Sequence, residues 1–73
     1  MREDQVCETF GMAVRQQRLA LGLSQEGLAE ASGLHRTYIG GIERGERNVT
    51  LRVGARLARA LHMGLSDLLR DVR

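Results

Sequence analysis

Six side chains between positions 36 and 48 could do recognition chemistry. Arg36, Thr37 and Tyr38 stand together, and Arg44, Arg47 and Asn48 follow within a loop's length. A guanidinium presents planar, paired donors that match phosphate oxygens or the acceptor edge of a guanine. Threonine adds a hydroxyl and a methyl, tyrosine a flat ring with a polar tip, and asparagine an amide. Nothing comparable assembles for catalysis. Cys7 has no partner base nearby in sequence, and His35 and His62 are isolated, with no cysteine or carboxylate arrangement at metal-ligand spacing. The run "GGIERG" lacks both GxGxxG spacing and a preceding strand. These residues predict a binding protein, not an enzyme, with no metal and no cofactor.

The charge distribution agrees. Net charge is only +2, yet Gly33–Arg59 holds six Arg against two Glu, a local +4 that leaves the remainder at −2. A basic stretch inside a near-neutral chain is an electrostatic footprint for a polyanion. Every basic residue is Arg and none is Lys. That bias fits a GC-rich genome better than it fits function.

Elements must hold those residues in place. The chain has 73 residues and no proline, and no β-type alternation extends far. Val6, Phe10, Ala13, Val14, Gln17 and Leu21 form the stripe of a first helix that ends near Gly22. Ser24 caps a short second helix with Leu28 and Ala31 inward. Gly33 breaks the pattern. A third helix runs over 36–43 with Ile39 and Ile42 inward, and this places Tyr38 on the opposite, surface side. Thr50 caps a fourth helix over about 51–62, and Ser66 caps a last one carrying Leu68, Leu69 and Val72. The reading is an all-α, five-helix fold in a single domain, residues 1–73, with its core at about 10–70. No apolar run is long enough to span a membrane, and the polar N-terminus shows no signal-peptide core. A cytoplasmic location follows as the expectation, with the single Cys7 suiting a reducing compartment. So small a domain is marginal alone. With one cysteine and no metal cluster, help is expected from a second copy.

The second and third helices carry a further pattern. Ala29 is small where two helices would cross, Gly33 suits a tight turn, and Ile39 and Ile42 pin the second helix of the pair to the core. This is helix-turn-helix spacing at helices 2 and 3. It also suggests a use for Gly40 and Gly41. Two glycines cost a helix about 1 kcal/mol each relative to alanine, but a helix without side chains there could approach a partner surface closely.

The run "LGLSQEGLAEASGLHRTYIGGIERGERN" resembles the helix-turn-helix domain of phage repressor and Cro-like (Xre-like) regulators, over about residues 10–70. The likeness narrows to the controller proteins of restriction–modification systems, which carry an "RTYI.GIER" recognition helix followed by "RN". The resemblance implies a lambda-repressor-like fold and a homodimer on a pseudo-palindromic operator in double-stranded DNA. It implies a phosphate contact for Gln25 and a partly buried Arg18–Glu43 salt bridge between the first and third helices. With the third helix in the major groove, Arg36, Thr37 and Tyr38 are the expected base readers. Arg44, Arg47 and Asn48, with Arg52, are the expected phosphate clamps. Arg56 and Arg59 are expected to lie on a solvated face. Leu65, Leu68, Leu69 and Val72 exceed what a short last helix needs and, joined by Leu51 from the start of the fourth helix, are the expected dimer surface. The implied role is an autoregulatory controller, nucleoid-associated, that activates or represses by promoter occupancy and extends its contacts to the RNA polymerase sigma subunit. A prophage Cro or repressor and an antitoxin-type repressor are the alternatives within DNA binding. A protein-interaction module is the alternative outside it.

Overall fold

Five helices follow one another without a strand: α1 Glu3–Ala20, α2 Gln25–Ser32, α3 Arg36–Glu43, α4 Leu51–Ala60 and α5 Leu65–Leu68. The computed structural model describes all residues, 1–73. Helix α1 starts before its apolar stripe does. Glu3 and Asp4 occupy its first turn, where carboxylates complement the helix dipole. Gln5 Oε1 accepts from the Arg2 N–H at 2.9 Å. Leu21 lies past the end of α1 and is exposed, so it is not part of the stripe.

The caps explain most of the other boundaries. Ser24 Oγ accepts from the Gly27 N–H at 2.9 Å and Thr50 Oγ1 from the Val53 N–H at 3.1 Å. Each satisfies one donor that the first helical turn leaves unpaired. Helix α4 stops at Ala60, short of the expected 62, and His62 then takes a left-handed φ of 59°. Ser66 is not the cap of α5. Gly64 holds that position, and Asp67 Oδ2 accepts from its N–H at 3.1 Å, so Ser66 falls inside the helix.

One core joins all five helices: Phe10, Val14, Leu28, Ala29, Ile39, Ile42, Leu57, Ala58, Leu61 and Leu68. Leu68 therefore leaves the expected dimer surface. It is 1% exposed and fills the core from α5, so it has no area left to offer a partner.

Helix α1 crosses α3 at Gly11. A Cβ built there would overlap the Ile42 carbonyl oxygen and press on that of Glu43. Backbone meets backbone at this point, which fixes the depth at which α3 is held. No helix is long and apolar enough to cross a membrane.

Candidate nucleic-acid interface

The turn between α2 and α3 sets the direction of α3. Gly33 adopts φ 74°, a left-handed value that glycine takes without a Cβ penalty. Both the Gly33 and Leu34 N–H groups donate to the Ala29 carbonyl, at 2.9 and 3.1 Å. Two carbonyls at this corner accept from α4. Arg56 Nε donates to Ser32 O at 3.1 Å and its Nη2 to Gly33 O at 3.2 Å. Arg56 stays on the expected solvated face, being exposed, but it is also a strut between α4 and the turn. Helix α3 then starts at a cap that residue type did not announce. His35 Nδ1 accepts from the Thr37 N–H at 3.1 Å.

The base of α3 is anchored by charge. Arg18 Nε and Nη2 donate to the two oxygens of Glu43 at 2.7 and 2.9 Å, and Arg18 Nη1 donates to Leu23 O at 2.9 Å. Gln25 Nε2 adds a bond to Glu43 Oε1 at 3.1 Å. The fork geometry uses both carboxylate oxygens and most of the guanidinium. Arg18 and Glu43 are 7% and 9% exposed. The hydrogen bond to Glu43 holds the Arg18 guanidinium above its ordinary range, against the opposing pull of burial. The network ties α1, the start of α2 and the end of α3 together. Gln25 has its amide turned inward to this network.

Arg36 and Thr37 lie at the start of α3 and are exposed. Arg36 Nη1 donates to Glu26 Oε1 at 2.6 Å. Tyr38 is not the free surface aromatic that its spacing suggested. It is half-buried against the core, its hydroxyl donates to the Asn48 carbonyl at 3.3 Å, and the Arg47 guanidinium sits 5.9 Å from its ring centroid. The ring holds the 45–50 loop onto α3. Asn48 Oδ1 in turn accepts from Cys7 Sγ at 3.2 Å. Arg44 Nε lies 3.1 Å from Glu46 Oε1, both well exposed. Arg44, Arg47, Asn48 and Arg52 all reach solvent.

The two glycines have an internal use. Both are buried. A Cβ at Gly41 would meet Arg47 Cγ at 2.9 Å, and one at Gly40 would meet Arg44 Nη1 at 3.1 Å and Gln25 Oε1 at 3.6 Å. They make room for the arginines of the following loop, which fold back across them. A bare surface is not what they leave.

A second surface lies beside this one. Val6, Phe10, Val49, Leu51, Leu65 and Leu69 line a shallow apolar groove of about 160 Å³, with Arg47 and Asn48 at one side. Leu51 is 78% exposed there. Val72 is half-buried against the core, away from the groove lining.

Known proteins share this fold. Residues 14–68 match the helix-turn-helix family profile. The control protein C.SmaI of Serratia marcescens is 59% identical over 62 residues, which cover 85% of this chain and 74% of that protein. The crystal structure of the restriction-modification controller protein C.AhdI from Aeromonas hydrophila superposes with a TM-score of 0.83 at 50% identity, over 85% of this chain and 94% of that one. The restriction-modification controller protein C.Esp1396I, solved as a tetramer in complex with its natural 35 base-pair operator, is similar with a TM-score of 0.82 at 32% identity, over 89% of this chain and 86% of that one.

Proposed function

The chain belongs to the helix-turn-helix family, and on that premise we propose that it is a sequence-specific transcriptional regulator that controls a restriction–modification system as a homodimer. The observation that carries this is the presentation of Arg36 and Thr37, exposed at the start of a helix whose other end is locked by Arg18, Glu43 and Gln25. The identity to C.SmaI supports the controller role.

In this reading residues 1–73 act as one domain, and α3 lies in the major groove with its N-terminal residues at the base edges. Arg36 donates a pair of bonds to a guanine, and Thr37 meets a thymine methyl or a phosphate. Tyr38 packs against the sugar-phosphate backbone or a base edge while its hydroxyl keeps the loop in place. Gln25, Arg44, Arg47, Asn48 and Arg52 contact phosphates. For Gln25 the inward bond leaves one amide hydrogen and the backbone N–H at the start of α2. Phosphate contacts fix register and carry no sequence information.

A single α3 reads too few base pairs to define a site in a genome. Two copies, with recognition helices about 34–36 Å apart, read two half-sites in one operator. The exposed Leu51, with Leu65 and Leu69 beside it in the groove and the half-buried Val72 outside the groove, supplies the apolar surface for that pairing. Occupancy then rises steeply with protein concentration. Low levels fill a strong site and activate, and higher levels fill a weaker neighbour and repress. Activation places a bound dimer against the sigma subunit of RNA polymerase, in the cytoplasm at the nucleoid. The chain performs no chemistry on the DNA.

The test is titration against the DNA just upstream of its own gene and against scrambled DNA, at two salt concentrations. Sigmoidal binding tighter on the upstream DNA, weakened by salt with a slope near −0.9 per phosphate neutralised, is expected. Equal, weak binding to both DNAs overturns the reading. Leu51→Asp with Leu69→Asp should leave a folded monomer by light scattering and abolish the sigmoid. An unchanged dimer mass would move the interface elsewhere.

A further inference from the structure

The guanidinium expected to read a base does not stand free. Arg36 Nη1 lies 2.6 Å from Glu26 Oε1, with the two side chains 64% and 70% exposed. Glu26 is the second residue of α2 and Arg36 the first of α3, so the contact bridges the outer edge of the helix-turn-helix. An acid in the first turn of α2 is favoured by the helix dipole alone. That accounts for a carboxylate at 26 and not for its grip on a residue of the next helix. Nor is the grip explained by stability, because an ion pair this exposed contributes little.

Its effect is geometric. An arginine on a surface that meets DNA can swing to a phosphate as readily as to a base, and a phosphate contact reads nothing. Glu26 occupies Nη1. The Nε–Nη2 side of the guanidinium remains, and that side is a paired-donor edge that matches the O6 and N7 acceptors of guanine. The carboxylate also carries a negative charge beside the guanidinium. A phosphate approaching Arg36 meets that charge and is repelled, whereas a neutral guanine edge is not. Like-charge placement of this kind works against wrong partners more than it strengthens the right one.

The geometry points to Glu26 as the positioning residue that turns Arg36 from a general phosphate contact into a guanine reader. This inference rests on the regulator reading above and goes beyond it, because Glu26 is given no contact with DNA. Glu26 lowers affinity for DNA in general and raises the ratio between right and wrong sites.

The experiment is a double-mutant cycle on full-length protein with a duplex that holds one dimer site. The guanine read by Arg36 is found first, as the one whose exchange for adenine weakens wild type strongly and Arg36→Ala hardly at all. Glu26→Gln is then measured in the wild-type and Arg36→Ala backgrounds on the guanine duplex, the adenine duplex and scrambled DNA. Helicity by circular dichroism checks the fold, which an exposed position should leave intact. Glu26→Gln should bind scrambled DNA more tightly and lose roughly three- to tenfold of its guanine-over-adenine preference, a fraction of a bidentate contact. In the Arg36→Ala background the same change should leave that preference untouched. A uniform gain on all three duplexes would reduce Glu26 to bulk charge and overturn the inference. An equal loss of preference in both backgrounds would also overturn it, because Glu26 would then act without Arg36. A wild type that does not separate operator from scrambled DNA removes the regulator reading and this inference together. A selective wild type with unaltered Glu26→Gln selectivity removes only the role of Glu26.

Discussion

Two arginine–glutamate pairs flank α3, and their shortest contacts are nearly equal: 2.7 Å for Arg18–Glu43 and 2.6 Å for Arg36–Glu26. Their surroundings are opposite. The first pair has side chains 9% and 3% exposed, the second 64% and 70%. Distance alone therefore says almost nothing about what a pair does. The buried pair is doubly bonded and roofed by Gln25 and the Leu23 carbonyl, so removing one member strands a charge away from water. The exposed pair contributes little to folding stability, and its charges stay within reach of a ligand. One end of the helix is held and the other is available.

The contrast can be broken most severely at the buried end. Glu43→Ala should destabilise by about 3–5 kcal/mol. That is a large part of what so small a domain has, so loss of the cooperative thermal transition is expected. The sharper form replaces both members, Arg18→Met with Glu43→Leu. Apolar residues of similar volume should restore most of the lost stability, as measured by urea unfolding. If the double variant is no more stable than the single one, the stranded charge is not the reason. Arg18 adds no pH dependence in the working range. Its raised value means the contribution is complete below the ordinary arginine range and is lost only as pH climbs beyond it.

Gly11→Ala comes next. The added methyl would overlap the Ile42 carbonyl, so α1 and α3 must separate. The expected loss is about 3 kcal/mol, even though alanine is the better helix former by about 1 kcal/mol. A stabilised Gly11→Ala variant would show that the crossing can relax. Arg56→Gln should cost about 1–2 kcal/mol through its two bonds to the α2 corner. Faster amide exchange at Gly33 and Leu34 would locate the loss. The smallest effect belongs to the exposed pair. Glu26→Gln should change stability by about 0–1 kcal/mol, and a larger loss would erase the distinction between the two ends.

Much of the fold was legible from local rules, although the capping rule that placed α2 and α4 put the start of α5 at Ser66 in place of Gly64. Ser24 and Thr50 announced their helices because side-chain oxygens cap nearby N–H groups. The spacing of Ala29, Gly33, Ile39 and Ile42 announced the motif. What stayed hidden depended on neighbours distant in sequence. The role of Gly11 shows only when α3 is seen against it. Arg56 reads as one more solvated charge until α4 is seen beneath the α2 corner. His35 is not among the usual capping residues. Leu68 and Leu69 are adjacent and chemically identical, and only the packing of α5 sends one inward and leaves the other at the groove. At the candidate site, the outward residues Arg36 and Thr37 could be read from helical phase. The ties of Tyr38 to Asn48, of Gln25 to Glu43 and of Arg36 to Glu26 could not, because each joins separate elements.

The overlap at Gly11 also has a bearing on retargeting. Position 11 admits no side chain, and 18 and 43 admit change only together, so the scaffold carries its constraints on residues that never meet a ligand. Positions 26, 36 and 37 carry almost none of them. A library randomised at those three alone would explore new target sequences while nearly every member still folded.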